Sequence, residues 1–181
     1  MTERQIFAFL KSQGLSDAGC AGAMGNMFAE SGLNSRNLQN SYEKKLEYTD
    51  ASYTKAVDSG VYRNFATDKA GYGLCQWTYS TRKAALLAFA KSCRCSVGDT
   101  EMQLKFFMKE LREGYPKVLS VLKTAKTVRE ASDAVLLNFE RPADQSEAVR
   151  KKRAEYGQAY YNTLTGKETT MFTNSPLVSY T

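Results

Sequence analysis

A carboxylate closing an apolar helix is the first place in this sequence where chemistry can sit. Glu30 lies in Phe28-Ala29-Glu30-Ser31-Gly32-Leu33-Asn34, after residues that are otherwise apolar or small. Burial disfavours the charged form of a carboxyl group, and so does the negative end of a helix dipole. The group is therefore expected to hold a proton near neutral pH, which is what a general acid requires. An ordinary surface glutamate at a helix end fits the position too.

The second candidate is the string Asp68-Lys69-Ala70-Gly71-Tyr72-Gly73-Leu74-Cys75-Gln76-Trp77-Thr78. Gly71 and Gly73 permit a tight backbone and the close approach of a ligand. Tyr72 and Trp77 offer flat apolar faces with polar edges, suited to sugar rings. Gln76 supplies both a donor and an acceptor. The competing reading is a turn followed by a core tryptophan.

Other chemistries are excluded by absence. The chain has no histidine, which rules out Ser/His/Asp and Cys/His nucleophilic catalysis and histidine-bearing zinc sites. Its four cysteines, Cys20, Cys75, Cys93 and Cys95, form no CxxC pair, so a zinc ribbon is not expected. Reduced thiols are the expectation for a chain made in the cytosol. Catalysis then falls to carboxylates, lysine, tyrosine or a thiol. The formal charge of +6 suits a polyanionic partner, whether nucleic acid, an anionic lipid surface or an anionic cell wall. The densest basic run, Arg150-Lys151-Lys152-Arg153, reads as the solvated face of a helix.

The elements that position these residues are read from capping and periodicity. The chain is 181 residues long and 43% apolar, enough for one domain with a real core. Thr2-x-x-Gln5 is a capping box before Ile6, Phe7, Phe9 and Leu10, and Gly14 stops that helix. Ser16 caps a second helix running to about Glu30, ended by Gly32. Gly19, Gly22 and Gly25 fall three apart inside it, each costing about 1 kcal/mol of propensity relative to Ala. Only tight tertiary packing compensates such a stripe, so this helix is expected to be central. Residues 34–76 read as an ordered loop region with short helices at Glu43–Leu46 and Ser52–Asp58. Ser80 or Thr81 caps the next helix, Lys83 to Lys91; Asp99 caps another, and Pro116 opens a third. Thr127-x-x-Glu130 begins a helix reaching Phe139, broken by Pro142, and Ser146 caps a last helix to about Leu164. Residues 1–166 read as the domain, and 167–181 as a tail or the start of a linker. No run reaches the roughly 18 apolar residues of a membrane span, and the start lacks the features of a secretory signal.

A helix ending in Glu-Ser with an asparagine three residues after the serine, followed by Gly-x-Gly-Leu-x-Gln, resembles the lysozyme superfamily. Soluble lytic transglycosylases and goose-type lysozymes carry both features. The closer resemblance is to the phage tail-associated lysozyme family, whose signature Gly-Tyr-Gly-Leu-x-Gln-Trp-Thr runs here from Gly71 to Thr78. Tyr79-Ser80-Thr81-Arg82-Lys83 and the helical remainder through Phe139-Glu140-Arg141-Pro142 to Tyr160-Tyr161 also fit.

The resemblance implies a mainly α, lysozyme-like domain of several helices, with a central Gly-rich helix and an ordered loop region forming a substrate groove. It implies a muramidase that cuts bacterial peptidoglycan between N-acetylmuramic acid and N-acetylglucosamine, with no cofactor and no metal. Glu30 takes the place of the catalytic acid. Asp68 matches the aspartate that positions water in goose-type enzymes, with Asp58 and Asp50 in reserve. Glu47 stands where a glycine is expected to end a short helix; it must adopt a left-handed backbone, and it adds a carboxylate that could be mistaken for a catalytic one. Asn34, Tyr62, Tyr72, Gln76, Trp77 and Arg82 would line the sugar groove. Single displacement with inversion would set the two carboxyls roughly 6.5–9.5 Å apart. Lytic transglycosylation would dispense with water activation. A non-catalytic wall-binding or nucleic-acid-binding module stays open as a different class, although a mildly basic aromatic region suits neutral glycan better than nucleic acid. The expected setting is the cell wall, reached on a phage tail or through a holin pore, with a further wall-targeting or amidase domain beyond the tail.

Overall fold

The computed structural model describes residues 1–166; the tail expected at 167–181 lies outside the described residues. The described residues form α1 (Glu3–Ser12), α2 (Asp17–Ser31), α3 (Asn40–Leu46), α4 (Asp50–Asp58), α5 (Ser80–Cys93), α6 (Thr100–Glu113), α7 (Pro116–Thr124), α8 (Val128–Val135) and α9 (Glu147–Thr165). A π-helical turn, Leu136–Glu140, extends α8. The mainly α expectation holds. Extended backbone pairing among these residues is confined to two isolated antiparallel bridges, Leu38–Tyr72 and Tyr72–Trp77. No described helix is long and apolar enough to cross a membrane.

Five caps form where the sequence places them, while the cap expected at Ser80 or Thr81 does not. Thr2 accepts from the Gln5 amide and completes a capping box; Ser16, Asp99, Thr127 and Ser146 each accept an amide of their own helix's first turn. Four boundaries differ from expectation. Helix α5 starts at Ser80, with Tyr79 as a cap that makes no side-chain hydrogen bond, because Trp77 is pinned in its bridge and the chain is free to coil directly beyond it. Helices α3 and α4 begin at Asn40 and Asp50, α4 through a capping box of Thr49 with Ser52. The helix expected to run on to Phe139 widens at Leu136, and Arg141 leaves it left-handed at φ 51 just before Pro142. Proline disfavours the α conformation in the residue before it.

Helix α2 is the centre of the domain. It packs on α1, α7, α8 and α9, and every residue from Ala18 to Met27 is buried. The glycine stripe is what permits this. A Cβ at Gly19 would lie 1.8 Å from the Leu122 carbonyl oxygen, and one at Gly25 would lie 2.5 Å from both Arg153 O and Gly157 N. Helices α2 and α9 therefore touch backbone to backbone, with glycine on both sides. That contact fixes the register by which α9 presents Arg153 to the end of α2. Gly32 then stops α2 in the left-handed conformation, φ 63.

Candidate active site

Glu30 stands on the last turn of α2, half-buried, where the helix gives way to loop. Its Oε1 accepts from Arg153 Nη2 at 2.6 Å. Arg153 is itself buried, and its Nη1 reaches Asn26 Oδ1 at 3.3 Å. Asn26 is anchored in turn: its amide donates to the Gly22 carbonyl and to both the carbonyl and the hydroxyl of Ser132. The acid of the sequence reading thus has a fixed cationic partner, which the apolar surroundings expected for it did not include.

Before Glu30 opens a cleft of about 530 Å³. Ala29, Glu30, Ser31 and Gly32 form one side; Asn37, Gln39, Asn40, Ser41 and Gln76 form the other. Its lining is dense in amides and hydroxyls, the groups that hydrogen-bond sugar hydroxyl and N-acetyl substituents. Gln76 is held by backbone and side chain alike. It adopts a left-handed conformation, φ 44. Its Nε2 donates to Asn37 O at 3.1 Å, Asn37 Oδ1 at 2.9 Å and Gly73 O at 3.2 Å. Ser31 ties the helix end to the same segment, donating to Leu74 O at 3.1 Å.

The glycines of the signature string serve this scaffold. A Cβ on Gly71 would meet Gln76 Oε1 at 2.7 Å, and one on Gly73 would meet Gln103 Oε1 at 2.6 Å. The close approach they permit is by two side chains of the protein, where a ligand was expected. Buried Gln103 accepts from the Leu74 amide at 2.9 Å and donates to Ser35 O and Val97 O, locking the turn onto α6.

Of the residues expected in the site, Glu30 and Gln76 meet in the cleft. The two aromatic platforms do not. Tyr72 and Trp77 are fully buried, so the core-tryptophan reading of this string is the correct one. Tyr72 shares a hydrogen bond with the Thr54 hydroxyl at 2.7 Å, and Trp77 donates from Nε1 to Glu110 Oε2 at 2.8 Å. Their rings meet Phe65 and Phe106 in edge-to-face contacts, which offers more apolar contact than a solvent-facing groove would.

Asp68 is also turned inward. Its carboxylate pairs with Lys83 Nζ at 2.6 Å, both side chains buried, and accepts from the Tyr53 and Tyr62 hydroxyls and the Ala70 amide. Burial, and then the Asp68 charge, push both phenols up; burial pulls the Lys83 ammonium down against the opposite pull of Asp68. Tyr62 is thereby a partner of Asp68 and forms no part of the cleft wall. Asn34 donates to Asp50 Oδ2 at 2.8 Å, whose other oxygen caps the Leu38 amide. Asp58 accepts from Ser96 and the Val97 amide. Glu47 ends α3 in the left-handed conformation the sequence requires of it, φ 61. Arg82 makes two hydrogen bonds to Glu110, at 2.7 and 2.8 Å, and stacks over Phe139. None of these groups lines the cleft before Glu30.

Two charged residues were missed. Arg153 was read with its neighbours as a solvated basic face; Gly157, one turn further on, was the available sign that this face of α9 meets another helix. The other is Glu140, at the end of the π turn. Burial, and then the charge of Glu30, push its carboxyl up to about 8 against the opposing Arg82 and Arg153. The sequence carries no signal for it beyond its place before Arg141-Pro142. A family model described as phage tail lysozyme matches residues 1–164.

Proposed function

The chain belongs to the phage tail lysozyme family, and from that premise we propose that it is a muramidase. The family supports a lysozyme-like, peptidoglycan-lytic activity. The finer reading is hydrolysis between N-acetylmuramic acid and N-acetylglucosamine, with Glu30 as the acid. The observation that carries it is that Glu30 brings the single carboxyl among the residues lining a polar, glycan-sized cleft.

In this reading Glu30 gives its proton to the leaving glycosidic oxygen as the bond to the anomeric carbon breaks. Arg153, at 2.6 Å, offsets the charge left on the Glu30 carboxylate. A water molecule held by the facing amides, Asn37, Gln39 and Gln76, bonds to the anomeric carbon and releases its own proton to solvent. Asp68 is assigned no part in water activation, because Lys83, two tyrosines and an amide already occupy it. Its role is to hold the loop that carries Gln76.

Glu30→Gln is expected to lower the rate of wall lysis at least a hundredfold, the contribution typical of general acid catalysis, with unchanged circular dichroism. A variant that keeps most of its lytic activity would refute Glu30 as the acid. A non-catalytic wall-binding module predicts binding without clearing of the suspension.

The lone carboxyl of the cleft also favours a second reading, lytic transglycosylation, in which the sugar's own C6 hydroxyl attacks the anomeric carbon and no water is activated. Mass spectrometry of the released glycans separates the two. Hydrolysis leaves a reducing end, whereas transglycosylation leaves a 1,6-anhydro end lighter by one water.

A further inference from the structure

Beside the cleft lies a smaller recess of about 300 Å³, between the last turn of α2 and the first half of α9. That volume is at the small end of the range for ligand sites. Phe28, Ala29, Val149, Lys152, Arg153 and Tyr156 line it. The two hollows share Ala29. They also meet at an ion pair, because Glu30 lines the cleft, Arg153 lines the recess, and the two side chains touch at 2.6 Å. The recess therefore begins within one side chain of the group assigned as the acid.

The chemistry of the two hollows differs. The residues lining the cleft include no cation. The recess has an apolar, aromatic wall with a cation beside it. Phe28 is 36% exposed and meets Tyr156 edge to face at 4.8 Å. Of the four consecutive basic residues on α9, Arg150 pairs with Asp133 and Glu147, Lys151 reaches Glu155, and Arg153 holds Glu30. Lys152 pairs with no carboxylate among the described residues; its ammonium stands 6.0 Å from the centre of the Tyr156 ring. Because Arg153 is already held by Glu30 and Asn26, Lys152 is the cation that the recess has to offer. Such a site suits a ligand with a carboxylate and small apolar groups. The ammonium takes the carboxylate, and the aromatic and aliphatic walls cover the rest.

Peptidoglycan carries a branch of this chemistry. Its muramic acid bears a lactyl ether on C3, from which a short peptide with alanine methyls and free carboxylates extends. When a muramidase cuts, this sugar supplies the anomeric carbon, so the peptide leaves the glycan within one ring of the catalytic acid. We propose that the recess between α2 and α9 holds the start of this acidic peptide, with Lys152 binding a peptide carboxylate and Phe28, Val149 and Tyr156 covering the alanine methyl. This assignment, which rests on Glu30 being the acid of the reaction proposed above, makes Lys152 a specificity residue. It favours muramic acid that still carries its peptide and takes no part in proton transfer.

The binding test uses muramyl dipeptide, which has no glycosidic bond to cut, and its neutral analogue with the carboxyl converted to an amide. NMR signals of the Phe28, Val149 and Tyr156 side chains are expected to shift with the acid. Lys152→Met is expected to weaken that binding at least about threefold, the scale of an exposed ion pair. Lys151→Met removes the same charge one residue earlier, outside the recess, and is expected to bind as the wild type does. Equal weakening by both variants, or equal binding of acid and amide, reduces Lys152 to part of a general basic surface and overturns the proposal. So do shifts at these residues with glycerol phosphate and none with muramyl dipeptide, which would assign the recess to a phosphate-rich wall polymer. Turnover gives the second readout. On soluble peptide-bearing glycan Lys152→Met is expected to raise KM at least about threefold, and to raise it less on the same glycan with its peptide carboxyls amidated. An equal rise on both overturns the proposal. A wild type that binds the dipeptide through Lys152 but cuts no glycan supports the peptide site and retires the muramidase reading alone. One that cuts glycan while the recess signals stay fixed does the reverse.

Discussion

Asp68 shows how one residue type at one place in a motif can serve either chemistry or scaffold, and its burial decides between them. The Asp68–Lys83 pair is enclosed, with side-chain exposures of 2% and 0%. Removing one member of such a pair leaves the other charge uncompensated, at a cost of about 3–5 kcal/mol. Asp68→Ala is therefore expected to lower unfolding free energy in urea by about that amount, with lytic rate per folded molecule falling far less than in Glu30→Gln. Replacing both members together, Asp68→Leu with Lys83→Met, is expected to recover most of the loss. A water-activating aspartate would behave in the opposite way, losing kcat with stability intact. Glu140 gives a second expectation at this scale. Its folded pKa lies above the ordinary carboxylate value, so its contribution to stability is full below about pH 4.5 and is lost as pH rises to about 8. Melting temperatures of the wild type and Glu140→Gln are expected to diverge across that window in favour of the variant. Equal slopes would show that Glu140 ionises as freely in the folded chain as in the unfolded one.

The helices carry the site through a single close contact. Gly25 and Gly157 let α2 and α9 meet backbone to backbone, and Arg153, one turn from Gly157, reaches Glu30 as a consequence. Gly25→Ala puts a methyl group 2.5 Å from two backbone atoms of α9, which no side-chain rotation relieves. The helices must separate, at about 1–3 kcal/mol or more, and the Arg153–Glu30 contact must lengthen. Both stability and kcat are expected to fall. Gly60→Ala is the control: it faces open space at φ +74, so backbone strain of about 1–2 kcal/mol is expected, with activity per folded molecule unchanged. If the two variants lost activity equally, the helix contact would have no special part in the site. This same contact marks the limit of what could be read in the chain. Caps at Thr2, Ser16, Asp99, Thr127 and Ser146 are decided by residues within one turn, so they were legible. The glycine stripe announced a crowded helix because no local force favours it. Tyr72 and Trp77 were ambiguous because a sugar platform and a core share the same requirement for flat apolar surface. Arg153 was illegible because it meets Glu30 only after α2 and α9 have packed together, and Glu140 because it is buried only once the π turn has docked.

At the scale of the whole molecule, charge and cleft perform different tasks. Around Glu30 the cleft is lined by neutral amides and hydroxyls, groups that in the proposed function would hydrogen-bond the glycan. The surplus of basic residues, 25 against 19 acidic, would in the same reading act at longer range on an anionic cell wall. Part of that surplus adjoins the site: Lys152 and Arg153 share a small recess with Phe28, Ala29 and Tyr156, next to Glu30 on α2. Such long-range attraction is screened by salt, with a Debye length of about 10 Å at 0.1 M, whereas the ion pair at Glu30 is too short and too buried to be screened to the same degree. Raising ionic strength from about 50 mM to about 500 mM is therefore expected to raise KM on intact walls several-fold and to leave kcat nearly unchanged. On soluble uncharged glycan fragments the same salt series is expected to leave both constants flat. A fall in kcat on the fragments would place the salt-sensitive interaction inside the cleft itself. The division between a basic surface that gathers wall and a neutral groove that reads it would then have to be abandoned.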